Sequence, residues 1–377
     1  MHNFGFILQK GEVILVDKRK RKLLQNKSFL IVMVLLMTFV FAGCNNQSTT
    51  NEPLPTNTNE PVQSAKELDN QFEELQKVSA EYLKNNKPEY LTAEEVYQKV
   101  VVEADQSYFV VDVRAAADFA KGNIEGSVNI PYATAADPNR IANLPKDKKI
   151  IVVCYSGHTA NQTVTLWKML GYDAVPMLNG MGGWLSNPEL GTPILKASFN
   201  YPVVTAEPKA TTNNLPTIQE EGVFNVNDLI MKRSQAYLTS GKGPVVKPED
   251  VMADLESKGN SFFVLDTRDM NDYKKGHIEG ALNIPYSSVA DAENLKKLPT
   301  NKKIVVVGYT GNDASQVVRV LNQLGYDSYA MLRGMRVWTS DAEINGIAPI
   351  QTETAGEFPV KVLNVDLNSS GGAASCG

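Results

Sequence analysis

The sequence predicts an α/β protein made of two tandem copies of one small domain, each a parallel sheet flanked by helices. Three observations carry this. Much of the chain between residues 66 and 350 is written twice at a nearly constant offset. Short apolar runs of strand length, 109–113 and 150–153, alternate with stretches of helical periodicity. Strands with no polar alternation are buried on both faces, as in a parallel sheet covered by helices. With 377 residues, 43% of them hydrophobic, the chain has enough apolar material for two domains of ordinary size.

Residues 1–43 have the organisation of a secretory signal peptide. The basic cluster Lys18-Arg19-Lys20-Arg21-Lys22, with Lys27, precedes an uncharged run from Phe29 to Gly43. As a helix this run would rise about 22 Å, short of the ~30 Å hydrocarbon core, so a stable membrane span is not expected. The run ends in Phe41-Ala42-Gly43-Cys44 and passes at once into Asn45-Asn46-Gln47-Ser48. This resembles a bacterial lipobox, with Phe41 where leucine is usual. The resemblance implies cleavage before Cys44, lipidation of its thiol, and anchoring in the bacterial cell envelope on the extracytoplasmic side of a membrane. The basic cluster starts late enough for residues 1–17 to be an over-extended gene start. Without residues 1–43 the remaining 334 residues carry a net charge of −10, which argues against nucleic acid as a partner.

Residues 44–65 are rich in Asn, Thr, Pro and Glu with no apolar period, the composition of a disordered tether. Domain one is expected at 66–200 and domain two at 219–350. The linker 201–218 carries Pro202, Pro208 and Pro216. Between 112 and 132, 12 of 21 positions are identical to those 154 residues later, including Asp112/Asp266, Arg114/Arg268 and Asn129-Ile130-Pro131-Tyr132/Asn283-Ile284-Pro285-Tyr286. Upstream, Ser79 and Tyr82-Leu83 match Ser234 and Tyr237-Leu238 at an offset of 155. Each copy thus owns a helical lead-in, at 66–87 and 219–240, whose charge reads as a solvated outer face. Ala160, Val164, Leu166, Trp167 and Leu170 give 159–170 a helical period, and Trp184 and Trp338 follow glycine-rich turns as packing anchors. The tail, 351–377, ends in Gly, Ser and Ala and reads as flexible, with Cys376 either an incidental thiol or a partner that takes sulfur from Cys154 or closes a disulfide with it.

The chemistry centres on Cys154, in Cys154-Tyr155-Ser156-Gly157-His158-Thr159 between a strand and a helix. In open parallel sheets, ligand sites lie beyond the carboxyl ends of the strands. There the next helix offers unpaired N–H groups and the positive end of its dipole, which favour a thiolate. A buried, inert cysteine is equally compatible with position alone. His2, His158 and His277 cannot assemble a metal cluster with the scattered cysteines, so no metal and no cofactor are expected.

Val111-Asp112-Val113-Arg114, Gly122-x-Ile124-x-Gly126, Asn129-Ile130-Pro131, Cys154-x-x-Gly157, Gly171-Tyr172 and Leu178-x-Gly180 with Trp184 together resemble a rhodanese-like domain, and unit two repeats the pattern. The resemblance implies a small fold around a five-stranded parallel sheet, and sulfane-sulfur transfer through a persulfide on Cys154. Tyr155, Ser156, Gly157, His158 and Thr159 would bind the substrate, backbone amides holding the sulfur, while Asp112 and Arg114 would be structural. The implied partners are a small sulfur donor, thiosulfate or 3-mercaptopyruvate, and a thiol or cyanide acceptor. Many family members have arginine where this chain has Thr159, so a fixed donor-binding cation is missing from the loop. Gly308 replaces the cysteine in unit two, which makes that unit catalytically silent, and Asp313 at its loop end would repel an anion. A non-catalytic sulfur-binding or sensing lipoprotein is the alternative reading.

Overall fold

In a computed structural model of the chain, the described residues are 5–9, 12–16, 66–195, 197–346 and 353–363. Two strands, β1 (Gly5–Gln9) and β2 (Glu12–Val16), pair antiparallel within the segment read as a signal peptide. The rest of that segment, with Cys44, the tether to residue 65 and Cys376, lies outside the described residues. No described helix is long and apolar enough to cross a membrane.

Unit one runs α1 (Gln71–Asn85), α2 (Ala93–Val96), β3 (Tyr108–Asp112), α3 (Ala116–Lys121), β4 (Val128–Asn129), α4 (Pro138–Ala142), β5 (Lys149–Val153), α5 (His158–Met169), β6 (Ala174–Pro176) and α6 (Met181–Trp184). Unit two runs α7 (Val226–Thr239), β7 (Val245–Val246), α8 (Pro248–Glu256), β8 (Phe262–Asp266), α9 (Met270–Lys275), β9 (Leu282–Asn283), α10 (Ala292–Leu295), β10 (Lys303–Val307), α11 (Asn312–Gln323), β11 (Ser328–Met331), α12 (Met335–Trp338) and α13 (Ala342–Asn345). The two apolar runs of unit one are β3 and β5, neighbours in an all-parallel sheet of order β4-β3-β5-β6. Alternate residues feed alternate faces, Ile150 and Val152 joining Leu166 and Trp167 on one side, Ile151 and Val153 joining Met177 and Trp184 on the other.

Unit two has the implied five strands, in the order β7-β11-β10-β8-β9, whereas unit one has four. Its fifth strand is reduced to a single parallel bridge between Leu91 and Met177. The cause is Pro176. In unit two Ala330 N donates to Pro244 O to extend the ladder, and Pro176, at the matching position, has no N–H to give.

Two expectations need correction. The lead-in helices are not solvated outer faces: Leu75, Tyr82 and Leu83 of α1 and Leu229, Tyr237 and Leu238 of α7 are buried. They pack across the repeat boundary, α1 bonding unit two through Gln76 Nε2 to Ala290 O. The charged residues occupy only the outward stripe of each amphipathic helix. Nor is the tail loose over 353–363. Phe358 N donates to Trp184 O, Trp184 Nε1 donates to Pro359 O, and Lys361 and Asn123 exchange backbone hydrogen bonds, so this strap seals unit one. Phe358 stacks on Tyr97 at 4.3 Å between ring centroids and packs edge-on to Trp184. The chain leaving unit one does the same for unit two, where Trp338 Nε1 donates to Pro202 O, Tyr201 N donates to Trp338 O, and Val204 bridges His277. Each unit is closed by the strand of chain that leaves the other.

Buried ion pairs fix the turns after β3 and β8. Arg114 pairs with Asp112 at 2.6 Å and donates onward to Leu190 O and Gly122 O, and Arg268 pairs with Asp266 at 2.7 Å and donates to Ile344 O and Gly276 O. No side-chain polar atom of these four charged residues is left buried without a partner, so the charges are held in low dielectric without an orphan.

Candidate functional site

The end of β5 and the start of α5 enclose a tight loop. Cys154 is 1% exposed at the strand's carboxyl end. Gly157, with φ of 94°, turns the backbone back so that its N–H donates to Cys154 Sγ at 3.1 Å. The Gly180 turn buttresses the loop from behind, Met181 N donating to Cys154 O at 2.7 Å. A β-carbon on Gly180 would lie 2.2 Å from Cys154 O, so only glycine fits there. The arrangement presents a sulfur atom to a backbone donor at the first turn of a twelve-residue helix, where the dipole favours negative charge.

The loop side chains divide. Ser156 and Thr159 are half-buried. Tyr155 and His158, expected among the substrate contacts, are engaged elsewhere. Tyr155 OH donates to Asp118 Oδ2 at 2.7 Å and accepts from Ala115 N, and Tyr309 repeats this in unit two with Asp272 and Asp269, so the tyrosine is a strut for the loop. His158 is 2% exposed, with Nδ1 3.1 Å from Ser156 Oγ and Nε2 accepting from Arg333 N of unit two at 3.2 Å. Burial, reinforced by the Arg333 charge, pushes its imidazole down to about 3. It is therefore neutral near pH 7 and supplies no cation to the loop.

The matching loop of unit two holds a second correction. Asp313 opposes an anion from inside the loop, not from its outer end, and is almost fully buried. Its carboxylate folds into the loop, where Tyr309 N donates to Oδ2 at 3.1 Å. A β-carbon on Gly308 would lie 2.1 Å from Oδ2 and 2.3 Å from Oδ1. The carboxylate thus occupies the space a side chain at the nucleophile position would need. Burial pushes this carboxyl up, and the N–H groups of Tyr309 and Ala314 pull it partly back. In front of the filled loop lies a cavity of about 500 Å³ bounded by Lys87, Tyr90, Tyr286, Tyr309 and Asp313. Sequence reasoning paired Gly308 with Cys154 and Asp313 with Thr159 but treated them as two changes; the structure makes them one.

The two loops meet back to back. Asn161 Nδ2 donates to Asn312 Oδ1 at 3.0 Å, and Gln316 Nε2 donates to Asn161 Oδ1 at 2.9 Å, joining α5 to α11. Arg333 completes the join by donating to Asn179 Oδ1 and Pro193 O of unit one.

The rhodanese-like domain family matches residues 92–187 and 247–341, together about half the chain. The "Probable adenylyltransferase/sulfurtransferase MoeZ" of Mycobacterium tuberculosis is 24% identical over 166 residues, 44% of this chain and 40% of that protein. A protein described as "Sulfurtransferase" from Allochromatium vinosum is 30% identical over 90 residues, 24% of this chain and 80% of its own length. A solved rhodanese-like domain protein from Staphylococcus aureus is 27% identical, covering 25% of this chain and 87% of that one, with a TM-score of 0.23. The chain spans well under half the length of the mycobacterial relative. Two separate matches, falling on the two repeats, make this chain a member of the rhodanese-like family with its domain present twice in tandem.

Proposed function

We propose that the protein is a sulfurtransferase in which Cys154 carries sulfane sulfur as a persulfide. The observation that carries this reading is the Gly157 N–H on Cys154 Sγ at the N-terminus of α5. The Cys154 thiolate attacks the outer sulfur of thiosulfate; a new S–S bond forms while the old one breaks, its electron pair leaving with sulfite. With 3-mercaptopyruvate the C–S bond breaks instead, and the departing carbanion takes a proton to give pyruvate. A thiolate or cyanide then attacks the outer sulfur and releases the Cys154 thiolate. The loop N–H stabilises the sulfur anion at both ends of the cycle.

Intact mass of the protein before and after thiosulfate or 3-mercaptopyruvate tests the reading. A gain of about one sulfur atom, absent in Cys154→Ser, is expected, and no gain with either donor overturns it. The 1% exposure of Cys154 favours a second reading, a protein that holds sulfur without turnover. Formation of thiocyanate from cyanide by the loaded protein separates the two.

The same proposal places the protein in the bacterial cell envelope, exported through residues 1–43 and held on the extracytoplasmic side by a lipid on Cys44. The motif ending in Cys44 supports this. Incorporation of labelled palmitate that is lost in Cys44→Ser is the expected result, and a soluble, unlabelled wild type would overturn it.

A further inference from the structure

The interface between α5 and α11 has two halves related by the repeat, and they differ in charge. In the half nearest the silent loop, Tyr82 OH and Tyr286 OH both donate to Gln316 Oε1, at 3.0 and 2.6 Å. Gln316 Nε2 donates to Asn161 Oδ1, and Thr165 Oγ1 donates to Asn161 O. These groups are all neutral and each has a partner; beside them Asn312 Nδ2, next to Asn161, has none among the described residues.

The half on the Cys154 side has the same frame, Tyr237 for Tyr82, Tyr132 for Tyr286 and Gln162 for Gln316, with Arg319 in place of Thr165. Arg319 is 0% exposed. Its Nε donates to Gln162 O at 3.2 Å and its Nη2 to Tyr132 OH at 3.0 Å, neither of them a carboxylate. The rings of Tyr237 and Tyr132 lie 4.8 and 5.7 Å from the guanidinium carbon, which offsets part of the charge but accepts none of its in-plane N–H groups.

Three donors here have no acceptor among the described residues: Arg319 Nη1, Gln162 Nε2 and Tyr237 OH. The repeat explains why. Where the first half has Asn161 to receive the glutamine amide, the second has Ser315, whose hydroxyl is turned to Gly311 O. A buried unit charge with one of its own N–H groups unused, beside two further unused donors, is costly unless an acceptor of opposite sign joins them.

We propose that this half-interface binds one small monovalent inorganic anion, held by Arg319 Nη1, Gln162 Nε2 and Tyr237 OH. Gln162 and Tyr132, the unit-one residues bonded to Arg319, both border the Cys154 loop. Gln162 lies one turn along the helix that leaves it. Tyr132 N donates to Val113 O, and Val113 N to Val153 O, the residue before Cys154. The anion would bind whether or not Cys154 turns over sulfur, so this inference stands apart from the persulfide reading.

The test uses the full chain and halide as the probe. Thermal unfolding is compared at fixed ionic strength in sodium chloride and in sodium gluconate, whose anion is too large for an enclosed site. Chloride is expected to raise the midpoint by about 2–4 °C, as ligand linkage requires. Arg319→Thr, the residue the other half carries, is expected to lose that difference. Crystals of the wild type soaked in bromide are expected to show an anomalous peak within hydrogen-bond reach of Arg319 Nη1. Equal midpoints in the two salts, an undiminished difference in Arg319→Thr, or water alone at the three donors would each overturn the proposal. The bromide measurement needs no variant and decides the matter even if Arg319→Thr folds poorly.

Discussion

Gly308 and Asp313 exclude each other's alternatives: with the Asp313 carboxylate 2.1 Å from where a β-carbon on Gly308 would stand, no side chain fits at the nucleophile position of unit two. The loop backbone is the same tight turn as in unit one, Gly311 taking φ of 84° where Gly157 takes 94°. In unit one the Gly157 N–H faces the Cys154 sulfur; in unit two the Tyr309 N–H faces the Asp313 carboxyl that fills the matching loop.

Gly308→Cys alone should therefore give a poorly packed loop, costing roughly 1–3 kcal/mol as other overpacked sites do, and no sulfur on the introduced thiol. Gly308→Cys with Asp313→Thr should fold well and gain one sulfur atom from thiosulfate. Mass spectrometry in a Cys154→Ser background reads both outcomes. Loading of the single variant would show that the carboxylate yields freely.

Acid should loosen the join between the units. His158 holds its proton at about 3 in the folded chain and near 6.5 in the unfolded one. The unfolded state therefore binds the extra proton between these values, and stability present above pH 6.5 is lost as pH falls toward 3. The slope is up to about 1.4 kcal/mol per pH unit. Denaturant midpoints from pH 7 to pH 4 should fall more steeply in the wild type than in His158→Asn, which borrows the residue found at Asn312. Parallel profiles would remove His158 from the acid response.

Thr159, in the first turn of α5, is half-buried and offers no charge to a donor. Thr159→Arg should lower the KM for thiosulfate, a dianion, about tenfold, and that for 3-mercaptopyruvate by less, since each extra unit of donor charge gains from the guanidinium. Steady-state kinetics with both donors checks this, and equal effects would place the donor's charge away from the helix end.

Phe358→Ala should destabilise unit one although the residue follows unit two in the chain. The lost contacts are with Tyr97 and Trp184, and a cost of about 2 kcal/mol is expected for a half-buried ring. Hydrogen exchange should quicken around Trp184 and Asn123 and stay unchanged around Trp338. Tyr201→Ala should give the opposite pattern.

The strands, the repeat and the cysteine loop were legible because each rests on contiguous residues: the apolar runs that became β3 and β5, the 154-residue offset, and the Cys154-x-x-Gly157 turn. Contacts between distant residues were not. Whether Asp313 points outward or into its loop depends on the missing side chain at Gly308, a joint property of two positions. The straps left a readable trace, since Tyr201-Pro202-Val203 recurs as Phe358-Pro359-Val360 at an offset of 157, but composition marked both stretches as linker and tail. The charge at Arg319 was likewise visible as one letter. Its lack of a counterion became evident only when Tyr132, 187 residues earlier in the chain, proved to be its neighbour.

The strap exchange also governs what a cut would do. A protease that opened the chain between Ala206 and Pro216 would sever the only covalent link from one unit to the other, yet residues 199–204 would still lie along Trp338 and residues 356–363 along Trp184. The two fragments would leave a sizing column together, clasped like a dimer whose partners have each lent an arm, and would separate only when denaturant released both arms and the face between α5 and α11.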